Sequence, residues 1–231
     1  MAASRCDTVP MNIEDADMPW TTRNRDIVQV DGPDAATYLQ SQLSQDIRPL
    51  QIGESMWTFV LQPTGKVEVF ARISRLADQT FRLDTDRGFG QLLMDRLNRF
   101  KIRVKADLAL IVAEDQVDVD VDVDQQLELA RINAGWPRMG AEITAGESIP
   151  AETGVIGQAV SFTKGCYPGQ ELVERMDSRG SSAPRQLRTV DVPLGARPGD
   201  PLLIEGRDAG VVTSVVGTRA LALVKRSALQ D

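Results

Sequence analysis

Lys164-Gly165-Cys166-Tyr167-Pro168-Gly169-Gln170-Glu171 is the stretch on which the reading of this chain turns. Two glycines and a proline impose an irregular backbone around one of only two cysteines. The residues that follow, Leu172-Val173-Glu174-Arg175-Met176, have the pattern of a short helix. A thiol beside a lysine and just ahead of a helix start is placed to favour its thiolate, through the ammonium charge and the partial positive charge of the helix N-terminus. The plainer alternative is a small cysteine buried in a tight turn. The density of Gly, Lys, Gln and Glu around Cys166 favours a functional loop.

Outward from this loop, composition narrows the chemistry. The chain has 231 residues, 42% hydrophobic and 26% charged, with a net charge of −7. This describes a globular protein with a sizeable core and disfavours direct nucleic-acid binding. There is no histidine, which removes Ser-His-Asp and Cys-His catalysis and histidine-ligated zinc. Cys6 and Cys166 make no disulfide framework, and a reducing, cytoplasmic compartment is the simplest setting. One chain with two cysteines does not hold an iron–sulfur cluster alone, since clusters take four thiolate ligands as a rule. No metal site is expected. No apolar run approaches the roughly 20 residues that span a bilayer, and the acidic start reads as neither signal nor transit peptide.

The pattern along the chain is α+β. Residues 1–22 read as an arm of low order. A strand over Ile27–Val30 leads through Asp31-Gly32-Pro33 into an amphipathic helix carrying Leu39 and Leu43. A hairpin follows: Met56–Leu61, a turn at Gln62-Pro63-Thr64-Gly65, and Lys66–Ile73. There Val67, Val69, Ala71 and Ile73 alternate with Glu68, Phe70 and Arg72, which predicts one buried face. Thr80–Asp84 is a strand, Asp86–Arg99 a helix and Ile102–Ala113 a returning strand. Arg96, Arg99, Lys101, Arg103 and Lys105 form either a solvated basic face or an anion site. Val117–Asp124 alternates Val and Asp and reads as a solvated edge strand or mobile crossover rather than a calcium cage. Gln125–Asn133 is a helix, 134–163 a long packed loop, and Ser178–Pro184 a linker. Short strands and turns after Arg188 make a small β lobe that needs to dock on the rest. The organisation is thus an arm (1–22), an α+β region (23–180) and a C-terminal β-barrel lobe (186–231).

The eight-residue stretch resembles the signature K-G-C-Y-x-G-Q-E of the YgfZ family, within the superfamily of the folate-dependent glycine-cleavage T-protein. The resemblance continues in Asp31–Ala35 with Leu39-Gln40, in Leu61–Val67, in Arg131–Glu142, in Pro150–Gly154 and in Gly210–Ser214. It implies a cloverleaf of ferredoxin-like α+β units with a small C-terminal β-barrel around a folate channel. It also implies a role in iron–sulfur cluster assembly or repair, and through cluster enzymes in tRNA modification. Cys166 matches the family's cysteine. The residues then expected to meet tetrahydrofolate or a related small molecule are Lys164, Gly165, Tyr167, Gly169, Gln170, Glu171, Arg175 and Arg179. The partners implied are iron–sulfur proteins or their assembly machinery, with no membrane involved.

Three functions follow from these readings. The first is a non-catalytic folate-binding accessory factor acting through Cys166, with Lys164 lowering the thiol pKa and Arg175 and Arg179 meeting folate carboxylates. The second is a folate-dependent aminomethyltransferase. T-proteins carry adjacent aspartates after the hairpin turn, whereas Gly65-Lys66-Val67-Glu68-Val69-Phe70 offers only Glu68. The third is a tRNA-binding module using the basic residues of 96–105 or 175–188.

Overall fold

The computed structural model describes residues 24–113, 121–178 and 183–229. The expected N-terminal arm, Cys6, Arg179 and most of the expected linker lie outside the described residues.

The first half builds one sheet from β1 (Arg25–Asp31), β2 (Ser55–Leu61), β3 (Val67–Ala77), β4 (Thr80–Asp86) and β5 (Asp107–Ile111), with α1 (Ala35–Gln42) and α2 (Gly90–Phe100) as its helices. The five strands lie in the order β2-β3-β4-β1-β5, every neighbouring pair antiparallel. Without β2, the path β-α-β-β-α-β in the order β5-β1-β4-β3 is that of a ferredoxin-like unit. A single sheet of this topology occurs among the described residues. Asp26 fixes the start of α2, where the carboxylate accepts the backbone N–H groups of Gly88 (2.8 Å) and Gly90 (3.0 Å) and, from beyond β5, that of Ala113 (3.0 Å).

The β2–β3 hairpin is buried on both faces, not on one as its alternation predicts. A register irregularity between Val60 and Leu61 pairs them with Val69 and Val67, which skips Glu68 and turns Val67 to the face opposite Val69. Val60, Val69, Ala71 and Ile73 pack with Leu39, Leu93 and Leu97 of the helices and with Leu43 just past α1. Trp57, Phe59, Leu61, Val67 and Phe70 form a second core with Trp136, Met139, Ile143, Val160, Tyr167 and Val173. The long loop of 134–163 therefore works as the second cover of the sheet, with a short helix, α4 (Ile156–Ala159), inside it.

Two further expectations are corrected. Residues 101–106 are not strand: Lys105 is held to the β1–α1 turn, its N–H donating to Asp34 Oδ2 at 2.8 Å and its carbonyl accepting from Asp34 N–H at 3.2 Å. Gly32 permits this approach, since a Cβ there would lie 2.4 Å from the Lys105 carbonyl oxygen. Of the Val-Asp repeat, residues 121–124 begin α3 (Val121–Asn133), and 117–120 lie outside the described residues. Asp122 and Asp124 fall in the first helical turn, where the helix dipole stabilises negative charge.

After α5 (Gln170–Ser178), the chain forms a four-stranded antiparallel sheet, β6 (Arg185–Asp191), β7 (Pro201–Ile204), β8 (Arg207–Val216) and β9 (Arg219–Lys225), in the order β6-β9-β8-β7. One face of β9 gives Ala220, Ala222 and Val224 to the sheet's own core. The other gives Leu221 and Leu223 to a cluster with Leu187 and with Ile132 of α3. This is the docking that a small lobe needs.

Candidate functional site

The signature loop is held at several points, and Cys166 lies between them. Ahead of it, the Lys164 ammonium donates to the carbonyls of Gln40 (2.6 Å), Leu43 (2.6 Å) and Gln45 (3.1 Å) at the C-terminal end of α1. That end carries no basic residue of its own. Lys164 therefore supplies from far along the chain the cation that a helix C-terminus favours. Burial pulls the ammonium down to about 8. An ammonium has three protons, and here three carbonyl oxygens lie within hydrogen-bond distance to take them.

Behind Cys166, the Tyr167 ring is buried in the second core, with the Lys164 ammonium 5.1 Å from its centroid. Burial pushes the Tyr167 phenol up to about 12. The Tyr167 backbone N–H donates to Gln170 Oε1 at 3.0 Å, which sets the turn into α5. Gly169, at φ +84°, sits against the hairpin turn: a Cβ there would meet the Gln62 carbonyl oxygen at 2.5 Å and Gly65 Cα at 2.9 Å. At Gly65, φ +83°, an added Cβ would likewise meet Leu172 Cβ at 2.4 Å. Two glycines from distant parts of the sequence thus allow the signature and the hairpin to meet backbone to backbone.

Cys166 itself carries a free, exposed thiol, and Gly165, Glu171 and Arg175 are also exposed. Glu171 stands in the first turn of α5. The structure therefore gathers Lys164, Tyr167, Gly169 and Gln170 as anchors and presents Gly165 and Cys166 to solvent.

A cleft of about 800 Å³ opens elsewhere, between the first sheet, α3 and β8 of the second sheet. Phe70, Trp136 and Met139 supply apolar wall; Arg25, Arg87, Arg131, Arg138, Asp86, Asp124 and Glu128 supply charge. No signature residue lines it. The two places share a floor, because Phe70, Trp136 and Met139 belong to the same core as Tyr167. Trp57 stacks on Phe70 at 4.8 Å and meets Trp136 edge-on at 4.9 Å.

The charges around the cleft are mostly tied. Arg25 pairs with Asp84 at 2.5 Å and Asp86 at 3.0 Å. Arg131 holds Glu128 at 2.7 Å and Glu142 at 2.9 Å, and donates to Ser214 Oγ of β8 at 2.6 Å. Ser214 in turn donates to Glu142 at 2.6 Å, so this network joins α3, the loop after it and the second sheet. Burial works against the Arg131 charge, but the bonds and charges of Glu128 and Glu142 carry its pKa upward. Burial likewise pushes Glu128 up, while Arg131 and Arg138 bring it below the usual carboxylate range. Arg138, with its side chain 48% exposed, touches Glu128 at 3.3 Å.

Two residues weighed from sequence have structural employment. Arg96 is buried, not on a basic surface: its ion pair with Glu68 spans 3.0 Å, and it donates to the Leu61 carbonyl at 2.9 Å. Burial pulls the Arg96 pKa down, and Glu68 opposes that. Glu68 is itself buried. The cleft residues were missed because they come from seven separate segments; Trp136, one of only three tryptophans and the one set between Gly135 and Pro137, is the one that composition could have flagged.

No family model matches the chain. Among curated proteins it is 28% identical to an uncharacterized protein of Haemophilus influenzae, the match covering 68% of this chain and 67% of that one. It is 23% identical to the mitochondrial iron–sulfur cluster assembly factor IBA57 homolog of Neurospora crassa, over 76% of this chain and 54% of the relative. The corresponding protein of Pyricularia oryzae is 25% identical, over 83% of this chain and 61% of the relative. The chain therefore matches less than two thirds of the length of the two fungal proteins. Among solved structures, the glycine cleavage system aminomethyltransferase T of Bartonella henselae superposes with a TM-score of 0.72, at 16% identity, over 88% of this chain and 77% of that one. The chain is thus related in sequence to IBA57- and YgfZ-like iron–sulfur cluster assembly factors, and it shares the fold of the glycine cleavage T-protein.

Proposed function

We propose that this chain is a folate-binding accessory protein that supports assembly or repair of iron–sulfur clusters, and thereby tRNA modification, through the thiol of Cys166. The observation that carries the proposal is a free, exposed cysteine on a loop anchored on both sides. An inert cysteine would be buried in such a turn. Because clusters take four thiolate ligands as a rule, the sulfur acts together with ligands from a second molecule. The cluster is cargo, and its other ligands come from an iron–sulfur protein or the assembly machinery. A reducing compartment, the cytoplasm, keeps the thiol free. Among the described residues no helix is long and apolar enough to cross a membrane.

Tetrahydrofolate is assigned to the cleft and not to the signature. Phe70, Trp136 and Met139 would form the apolar floor beneath its pterin, and Arg138 at the rim would take a tail carboxylate. Bound there, the cofactor would supply a nitrogen able to carry one-carbon units. In this reading the C-terminal sheet is the counterpart of the terminal barrel of the T-protein cloverleaf. The aminomethyltransferase reading is disfavoured because Glu68 is committed to Arg96. The tRNA reading loses Arg96 from its basic patch.

The test is complementation of a strain lacking the protein. Cys166→Ala should fold, give a wild-type unfolding midpoint and fail to restore cluster-enzyme activity. Full restoration by this variant defeats the proposal.

A further inference from the structure

We infer that Lys164 is a positioning residue for Cys166, a clamp that pins the signature loop to the end of α1, and not a charge that activates the thiol. The inference rests on the reading of Cys166 as the working group, but its test does not depend on it. Helix α1 ends without a basic side chain and with carbonyls that no backbone N–H within it can reach. Lys164 reaches the oxygens of Gln40 in the last turn and Leu43 at the cap, and that of Gln45 in the turn that follows, across more than a hundred residues of sequence. Its three N–H bonds are then used up. A direct N–H···S bond from this ammonium to the thiolate would have to displace one of the carbonyls, and the displaced oxygen would be left without its donor in a half-buried place.

The local chain leaves Cys166 little freedom. It is two residues from the clamp and one residue from Tyr167, whose ring is locked in the second core. A neighbouring crossing reinforces the same corner: Ser44 donates to the Ala159 carbonyl at 2.6 Å, and Gln45 Nε2 to the Gln158 carbonyl at 2.9 Å. The segment leading into the signature and the turn after α1 are thus one stitched unit, and Lys164 is its charged stitch. Gly165 has nothing within 4 Å of where a Cβ would stand. The short reach between clamp and thiol is therefore held by its ends and not by packing.

The experiment compares the wild-type protein, Lys164→Met and Lys164→Arg, all full-length. Hydrogen exchange of the 161–169 amides should be about tenfold faster in Lys164→Met and return toward wild type in Lys164→Arg, which restores a donor cation. The rate of Cys166 modification by a neutral aromatic disulfide, followed against pH, should keep the same titration midpoint in all three. A role for the ammonium charge predicts the opposite: a midpoint that rises in Lys164→Met with exchange unchanged. Unchanged exchange in Lys164→Met, or a raised midpoint, overturns the inference. If Cys166→Ala supports cluster enzymes in the cell, the functional reading falls while this result stands or falls separately.

Discussion

Gly169→Ala tests whether the signature loop docks on the hairpin as described. A Cβ at this position would lie 2.5 Å from the Gln62 carbonyl oxygen and 2.9 Å from Gly65 Cα, both backbone atoms that cannot swing aside. The residue also sits at φ +84°, where an L-residue costs roughly 1–2 kcal/mol over glycine. Relieving the contact moves the loop off the turn and loosens Tyr167 in the second core, which brings the loss to about 2–4 kcal/mol. For a chain of this size that corresponds to a fall in Tm of about 4–16 °C. Gly165→Ala is the internal control: it has open space around the added methyl and no positive φ, so it should stay within about 0.5 kcal/mol of wild type. Urea unfolding followed by tryptophan fluorescence reads the second core directly, because Trp57 and Trp136 are part of it. Equal stability of the two variants would refute the backbone-to-backbone docking.

Other consequences follow from the charged groups. Glu68→Ala should cost about 3–5 kcal/mol in urea unfolding, because it strands the buried Arg96, and pairing it with Arg96→Met should recover part of that. The Lys164 pKa falls from 10.5 unfolded to about 8 folded through burial. Between these values the unfolded chain keeps a proton that the folded chain has lost, so this group's contribution to stability rises with pH, is complete above the upper value and is lost as pH falls through the lower one. Unfolding midpoints at about pH 7 and about pH 10 should show that slope in wild type and a flatter one in Lys164→Met; parallel slopes would contradict it. Calorimetric titration with tetrahydrofolate should give a Kd about tenfold weaker in Arg138→Ala and unchanged in Cys166→Ala. A loss confined to Cys166→Ala would return the ligand to the signature.

Much of the first sheet was legible because its cues are local. The Gln62–Gly65 turn, the Leu39 and Leu43 spacing and the α2 periodicity each act over a few residues, and each element is present, though α1 stops at Gln42 and α2 begins at Gly90 rather than Asp86. The signature's glycines and proline announced a loop with a fixed shape. What composition could not reveal is set across long separations. The irregularity at Glu68 turns Val67 over because Ser148 and Gly146 bind its backbone, through Val67 N–H to the Ser148 carbonyl at 2.8 Å and Gly146 N–H to the Val67 carbonyl at 2.7 Å. Arg96 looked like one of a run of surface cations, and only the fold brings Glu68 against it. The Val-Asp repeat follows the same logic: two of its aspartates serve a helix start, which strict alternation hides. Lys164 was readable as important, but the carbonyls it serves could not be seen, since they belong to a part of the chain more than a hundred residues away.

The most direct test of the account is recovery of an oxidatively damaged iron–sulfur enzyme in an extract depleted of this protein. Added wild-type protein should restore activity and Cys166→Ser, equally folded, should not, while Arg138→Ala should respond to added tetrahydrofolate at higher concentration. Restoration by Cys166→Ser at the wild-type rate would contradict the assignment of the exposed thiol as the working group.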